Sequence, residues 1–420
     1  MEIRPIKYLD ATVNIPGSKS YTQRALIIGG LAKGTSFLRG GLTSVDTQYL
    51  IASLRSLGSE IVIKGEDMIV SGTGGNIGNP QGEIYLGDNG TAMRFLTSLV
   101  SLGEGVFTLT GSHRLRQRPI KPLLDALRVL GVDARSKNDG GELPPVVVHA
   151  NGLRGGRVTL TDIDSSQYVS SLLICAPYAR EDTIIELQGR TPSLPYIDMT
   201  IQTMEDFGVE VIRETPNCYF VKSAQRYEGK TYLIEGDVSS ASYFFLAAAV
   251  CKGRVRVQNI NPGTLQGDIR LLPILERLGC TVTTGEQWVE VVGGDLAPGE
   301  YSFDLGDMPD IVPTLSILAA VRPGRTIIKN ASHLRMKESN RLDALANELR
   351  KTGVKAEEKD DGLVIDGNKA HGAVIETYND HRIAMSFAIL GLAIPGMKIR
   401  DGKCVNKSFP GFWEELTKLG

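Results

Sequence analysis

The chain has 420 residues, 42% of them hydrophobic and 22% charged, with 46 basic against 48 acidic side chains and a net charge of −2. That length exceeds one ordinary core and predicts two domains, and the near-neutral balance argues against a general nucleic-acid or membrane-surface binder, which carries a basic excess. No apolar run reaches the ~18 residues that spanning a bilayer takes, and the opening MEIRPIKYLD has neither the apolar centre of a secretory signal nor the Arg- and Ser-rich character of a transit peptide, so a cytoplasmic protein is expected.

In chain order, the strand-like EIRPIKYLDATVNI breaks at Pro16-Gly17. Ser18, Lys19, Ser20, Thr22, Gln23 and Arg24 then crowd the head of an apolar helix. A short strand, an amphipathic helix ending IASLRSLG and a strand pair SEIVIKGEDMIVSG follow. This order of helix, strand, helix, strand, strand recurs. The amphipathic helices end at Gly58, Gly131, Gly208, Gly279, Gly353 and Gly420, at steps of 73, 77, 71, 74 and 67 residues; glycine just past a helix suits the left-handed C′ position. The apolar helices begin near Ser18, Gly90, Ser165, Ser239, Asp310 and Asp380, at steps of 72, 75, 74, 71 and 70 residues.

Six such units predict two domains of three. The sixth runs out at Gly420 without its strand pair, and EIRPIKYLDATVNI has the composition of that pair. The N-terminus is therefore expected to return and complete the last domain, giving domains of 18–235 and of 1–17 plus 236–420. Two strands would cross between them, near Gly17 and near Glu235-Gly236, as a hinge.

The polar heads have a physical reason if the apolar helices of each domain lie parallel. Each helix N-terminus offers unpaired N–H groups and partial positive charge, and several aimed at one cleft bind an anion. Ser, Thr, Asn and Asp at these heads also read simply as N-caps, which suffices for Ser165-Ser166-Gln167 or Gly90-Thr91. The cations Lys19, Arg24, Arg94 and Arg382 are harder to dismiss, because they oppose the dipole unless a negative partner is present. Further cations stand in SHRLRQRPIKP (Arg114, Arg116, Arg118, Lys121), where solvated loop charge is the ordinary reading, and in HLRMKESNRLDAL and CVNKSFPGF. Lys337 and Arg341, four apart, read as a like-charge pair on one helical face. Few acids oppose them: Asp310, Glu338 and Asp380. Asp310 suits an N-cap, and in an arginine-rich cleft it also suits a general base. Cys175, Cys218, Cys251, Cys280 and Cys404 are scattered without CxxC or histidine-adjacent spacing, so neither disulfides nor a zinc site is expected.

The segments PGSKSYTQRAL, GTAMRFL, RQRPIKPLLDAL, SSQYVSSLL, SLPYIDMT, EGDVSSASYF, LRMKESNRL, YNDHRIAMSFA and KSFPGFW, in that order, resemble the 5-enolpyruvylshikimate-3-phosphate synthase family over essentially the whole chain. The resemblance implies an α/β fold of two similar domains, each of three βαβαββ repeats around parallel helices and joined by a two-strand hinge. It implies transfer of the enolpyruvyl group of phosphoenolpyruvate to the 5-hydroxyl of shikimate 3-phosphate, with phosphate released and no metal or cofactor. By the same resemblance Lys19, Ser20, Arg24, Ser165, Ser166, Gln167, Ser193, Tyr196, Asp310, His333 and Lys337 hold shikimate 3-phosphate. Lys19, Gly90, Thr91, Arg118, Gln167, Arg341, His381, Arg382 and Lys407 hold phosphoenolpyruvate. Asp310, Glu338 and Lys19 are the implied catalytic groups, and a monomer with no nucleic-acid or membrane partner is expected. Asp88 in GDNGT, His333 and Asn340 stand where members of the family more often carry other residues. The sister transferase acting on UDP-N-acetylglucosamine is the alternative; it generally uses a loop cysteine, and SHRLRQRPI has none. A P-loop kinase is excluded because GxxxxGK[ST] needs glycine where Val13 and Ser18 stand.

Overall fold

A computed structural model describes residues 1–138, 140–367 and 369–420. The chain divides into two compact units, residues 17–234 and residues 1–16 with 235–420. Twelve α-helices carry the two recurring patterns among the described residues. The apolar, polar-headed set comprises α1 (Lys19–Leu31), α3 (Gly90–Leu99), α5 (Gln167–Cys175), α7 (Val238–Cys251), α9 (Val312–Val321) and α11 (His381–Ala393). The amphipathic set comprises α2 (Val45–Ser56), α4 (Lys121–Val129), α6 (Pro195–Asp206), α8 (Leu271–Arg277), α10 (Arg341–Lys351) and α12 (Phe412–Thr417). The five internal glycines that follow this second set all have positive φ, between 80° and 106°, as the left-handed cap requires.

Each complete repeat closes a four-stranded sheet whose first pair is parallel and whose other two are antiparallel. In the unit of residues 17–234 the sheets are Glu83–Tyr85, Glu104–Thr110, Val146–Asn151, Asp133–Ser136, and Gly156–Thr161, Thr183–Gln188, Cys218–Val221, Ile212–Thr215, with a third around Thr35–Arg39. The apolar helices are covered by other helices as well as by sheet: α1 packs against α2, α3 and α6 and against the strands Thr35–Arg39 and Asp67–Ser71, and every one of its residues from Tyr21 to Leu31 is buried. Each unit has its own hydrophobic core. Among the described residues no helix is long and apolar enough to cross a membrane.

The N-terminal strand corrects one expectation. Asp10–Asn14 pairs in parallel with Arg254–Gln258 of the fourth repeat, from Asp10 opposite Arg254 to Asn14 opposite Gln258. It does not supply a strand pair to the sixth repeat, whose sheet consists of Val374–Ile375 and Lys398–Ile399; only residues 1–3 run antiparallel along Lys398, with Ile3 N–H donating to the Met397 carbonyl at 2.9 Å and Ile399 N–H to the Met1 carbonyl at 2.7 Å. The reason lies in an exchange of partners. The strand that precedes α7 in sequence, Thr231–Leu233, pairs with Thr35–Arg39 of the first repeat. That leaves the parallel edge of Arg254–Gln258 open, and Asp10–Asn14, which precedes α1, fills it with Ala11 and Val13 facing the core. The strand preceding α1 thus serves α7, and the strand preceding α7 serves α1.

Candidate active site

In the unit of residues 17–234 the heads of α1, α3 and α5 are tied side chain to side chain. Asn89 caps α3 by accepting from Ala92 N–H at 2.9 Å, and its amide donates to Gln23 of α1 at 2.8 Å and to the Asp46 carbonyl at 2.8 Å. Gln167, at the first position of α5, donates to the Thr91 hydroxyl at 3.0 Å. The anticipated convergence of these heads is therefore present within the unit. Ser18 caps α1; Ser165 accepts from the Gln167 N–H, and Ser166 is buried beside it.

The cations at these heads separate by partner. Lys19 Nζ lies 3.3 Å from Asp46 and so has a carboxylate. Arg24 has none among the described residues: it donates to the Thr200 hydroxyl, the Ser20 and Tyr196 carbonyls and the Ser170 hydroxyl, at 2.8–3.4 Å. Burial pushes its guanidinium down to about 10, which is the signature of a charge taken from water without a counter-ion. Ser193, held at φ 62°, accepts from Tyr196 N–H through its carbonyl and so sets the head of α6. Arg118 is buried with its guanidinium flat against Gly90, where a Cβ would stand 2.5 Å from it. Only glycine admits that approach. Arg94 is spent on the Gly90 and Pro119 carbonyls. Asp88 accepts from the Ser112 hydroxyl.

In the other unit one arginine organises the acids. Arg341, the first residue of α10 and almost wholly buried, directs Nε to Asp380 at 2.8 Å, Nη1 to Asp310 at 2.9 Å and Nη2 to Glu338 at 2.8 Å. Arg382 Nη2 meets the second oxygen of Asp310 at 2.7 Å, and Lys407 lies 3.7 Å from Glu338. Burial opposes the charge of Arg341 and Arg382, but the carboxylates more than offset it and hold both guanidinium groups above their ordinary range. The N-cap position of α9 is Ile311, which offers no side-chain cap; the Asp310 carboxylate next to it faces the two arginines. Asp380 does cap α11, accepting from Arg382 N–H at 3.0 Å, and His381 Nδ1 is 3.6 Å from it. Asn340 caps α10.

The anticipated Lys337–Arg341 face does not form. Lys337 ends the short 3-10 turn Ser332–Met336 in extended backbone, and α10 begins only at Arg341, so the two do not share a helix. His333 is buried within that same turn.

Four participants were not among the site residues expected from the sequence, although Ser239 and Tyr243 lie in EGDVSSASYF. Asp46 lies in the first turn of α2, where an acid is ordinary. Ser239 donates to Asp268, whose other oxygen has no hydrogen-bond partner among the described residues. Burial first, then Asp310, pushes the Asp268 carboxyl up to about 7. Tyr243, within α7, accepts from Arg382 at 3.3 Å. Among the described residues no group of three or more His, Cys, Asp or Glu side chains is placed to hold a metal ion.

The sequence model of EPSP synthase (3-phosphoshikimate 1-carboxyvinyltransferase) matches residues 3–416. A 3-phosphoshikimate 1-carboxyvinyltransferase of Trichormus variabilis is 42% identical over 418 residues, covering 99% of this chain and 97% of the relative. One of Methanospirillum hungatei is 43% identical over 408 residues, covering 96% and 94%. The solved EPSP synthase of Acinetobacter baumannii superposes with a TM-score of 0.82 at 27% identity, over 100% of this chain and 98% of that one.

Proposed function

The chain belongs to the EPSP synthase (3-phosphoshikimate 1-carboxyvinyltransferase) family, and on that premise we propose that it joins the enolpyruvyl group of phosphoenolpyruvate to the 5-hydroxyl of shikimate 3-phosphate by addition and then elimination. In the addition the hydroxyl oxygen bonds to C2 of phosphoenolpyruvate and a proton adds to C3, giving a ketal phosphate with a methyl group. In the elimination C3 loses a proton and the C2–O bond to phosphate breaks, leaving the enol ether and free phosphate.

Asp310 takes the hydroxyl proton and Glu338 moves the C3 proton, with Lys19 able to assist either. Shikimate 3-phosphate is held by Lys19, Ser20, Arg24, Ser165, Ser166, Gln167, Ser193, Tyr196, Asp310, His333 and Lys337. Phosphoenolpyruvate is held by Lys19, Gly90, Thr91, Arg118, Gln167, Arg341, His381, Arg382 and Lys407. The observation that carries this reading is the Arg341 fork, which gathers Asp310 and Glu338 onto one guanidinium. Two carboxylates so held stay close and oriented, as a base and a proton shuttle must be. Charge supports the assignment of Arg24 to the anionic shikimate 3-phosphate. Around Arg341 three acids meet three cations, whereas Arg24 has no carboxylate partner among the described residues. An uncompensated buried charge favours an anionic ligand. The halves 18–235 and 1–17 with 236–420 act as the two domains of the enzyme, a cytoplasmic monomer in the same reading.

Incubation with shikimate 3-phosphate and phosphoenolpyruvate, with phosphate release followed continuously, tests the proposal. Release that needs both substrates is expected. Release with UDP-N-acetylglucosamine in place of shikimate 3-phosphate would overturn it.

A further inference from the structure

The segment that delivers Asp380, His381 and Arg382 is not in a relaxed conformation. Tyr378 and Asn379 both have positive φ, 53° and 54°. Consecutive non-glycine residues in the left-handed region persist only where their surroundings impose it, and such strain gathers at functional sites. The imposing group is Glu348. Its side chain is entirely buried on α10, and its carboxylate accepts from the Tyr378 hydroxyl at 2.8 Å, from the Glu376 N–H at 3.0 Å and from Lys351 at 2.8 Å. Burial and Glu348 both push the Tyr378 phenol upward, so it stays a donor.

Glu348 lies seven residues after Arg341, two turns along the same face of α10. One helix therefore grips the incoming segment at two points. Arg341 holds Asp380, and Glu348 holds the backbone and side chain that precede it. Between them the chain turns through the two left-handed residues and enters α11, where Arg382 pairs with Asp310.

We infer that Glu348 is a positioning residue of the reaction: through Glu376 and Tyr378 it fixes where Asp380 and Arg382 stand against Asp310, without touching substrate. This deepens the proposed function and rests on it, because it makes the placement of Arg382, and so the affinity for phosphoenolpyruvate, depend on a carboxylate outside the substrate-binding set. Anchors that hold a binding group indirectly commonly affect ligand affinity more than their distance suggests.

Two variants test it: Glu348→Gln, which keeps the shape and removes the charge, and Tyr378→Phe, which removes one hydroxyl from a partly exposed ring. Hydrogen exchange over residues 376–382 is measured on the free protein, and KM is measured for each substrate. The exchange rate is expected to rise about fivefold or more, the size of one net hydrogen bond. KM for phosphoenolpyruvate should rise by a similar factor, with KM for shikimate 3-phosphate within twofold of the parent. Lower melting temperatures with unchanged exchange over 376–382 and an unchanged KM for phosphoenolpyruvate would make Glu348 merely structural and overturn the inference. The exchange result stands without turnover, so a parent protein that releases no phosphate would sink the functional reading while the clamp is still judged.

Discussion

Asp310→Asn isolates the group on which the proposed chemistry turns, because asparagine keeps the shape and one acceptor oxygen but removes the charge and the basicity. The carboxylate now bridges Arg341 Nη1 at 2.9 Å and Arg382 Nη2 at 2.7 Å. Each charge-assisted bond contributes about 1.5–3 kcal/mol. The loss is partial: Arg341 keeps Glu338 and Asp380, and Arg382 keeps the Tyr243 hydroxyl. A destabilisation of about 2 kcal/mol follows, which lowers Tm by roughly 4–8 °C for a domain of this size. That leaves the protein folded at 25 °C. Removing a general base slows the reaction by about 10²–10⁴, equivalent to ~2.7–5.4 kcal/mol of barrier. The assay is phosphate release at saturating substrates beside a thermal melt. Turnover is expected to fall by about two orders of magnitude or more with a modest Tm change; a folded variant that turns over within tenfold of the parent rate would refute Asp310 as the base.

Other consequences follow from the same geometry. Gly90→Ala places a methyl group 2.5 Å from the Arg118 guanidinium, so KM for phosphoenolpyruvate should rise severalfold while KM for shikimate 3-phosphate changes little; equal shifts in both would contradict the assignment of Arg118. Asp88→Asn removes a negative charge one residue from the α3 cap and should lower KM for phosphoenolpyruvate, a result that an unchanged or higher KM would disprove. Asp268 titrates near 7 in the folded chain, above its unfolded value, so its protonated form is the one folding prefers. Its contribution is therefore present at low pH and lost as pH rises from about 4 to about 7. Asp268→Asn should gain stability relative to the parent across that window, as read by melts at successive pH values; a constant difference would contradict the shift.

Much of this architecture could be read from residue order alone. The glycines at 58, 131, 208, 279 and 353 mark the ends of the amphipathic helices because the left-handed cap is a local requirement. The polar heads of the apolar helices are equally local. The exchange of Asp10–Asn14 and Thr231–Leu233 between repeats was not legible, because alternation specifies which face of a strand is buried and says nothing of its distant partner. The site divides in the same manner. Lys19, Arg24 and Arg382 stand out because cations at helix heads are unfavourable without a reason; Arg341 stands out only through a like-charge pairing with Lys337 that the fold does not form. Asp46 and Asp268 do not, since an acid in a first turn is ordinary and only the folded chain buries Asp268 beside Ser239. Glu348 shows the same limit: on a surface-like stretch, LANELRKTG, nothing marks it as the buried anchor of a strained turn.

The claim that Asp310 and Glu338 drive addition before elimination is tested most directly by running the reaction in D₂O and locating deuterium in the product. Protonation of C3 from the solvent makes a methyl group that returns one of its three hydrogens, so deuterium is predicted in the vinyl group of the product and in recovered phosphoenolpyruvate. Product formed with an undeuterated vinyl group would mean that C3 was never protonated, and would contradict the account.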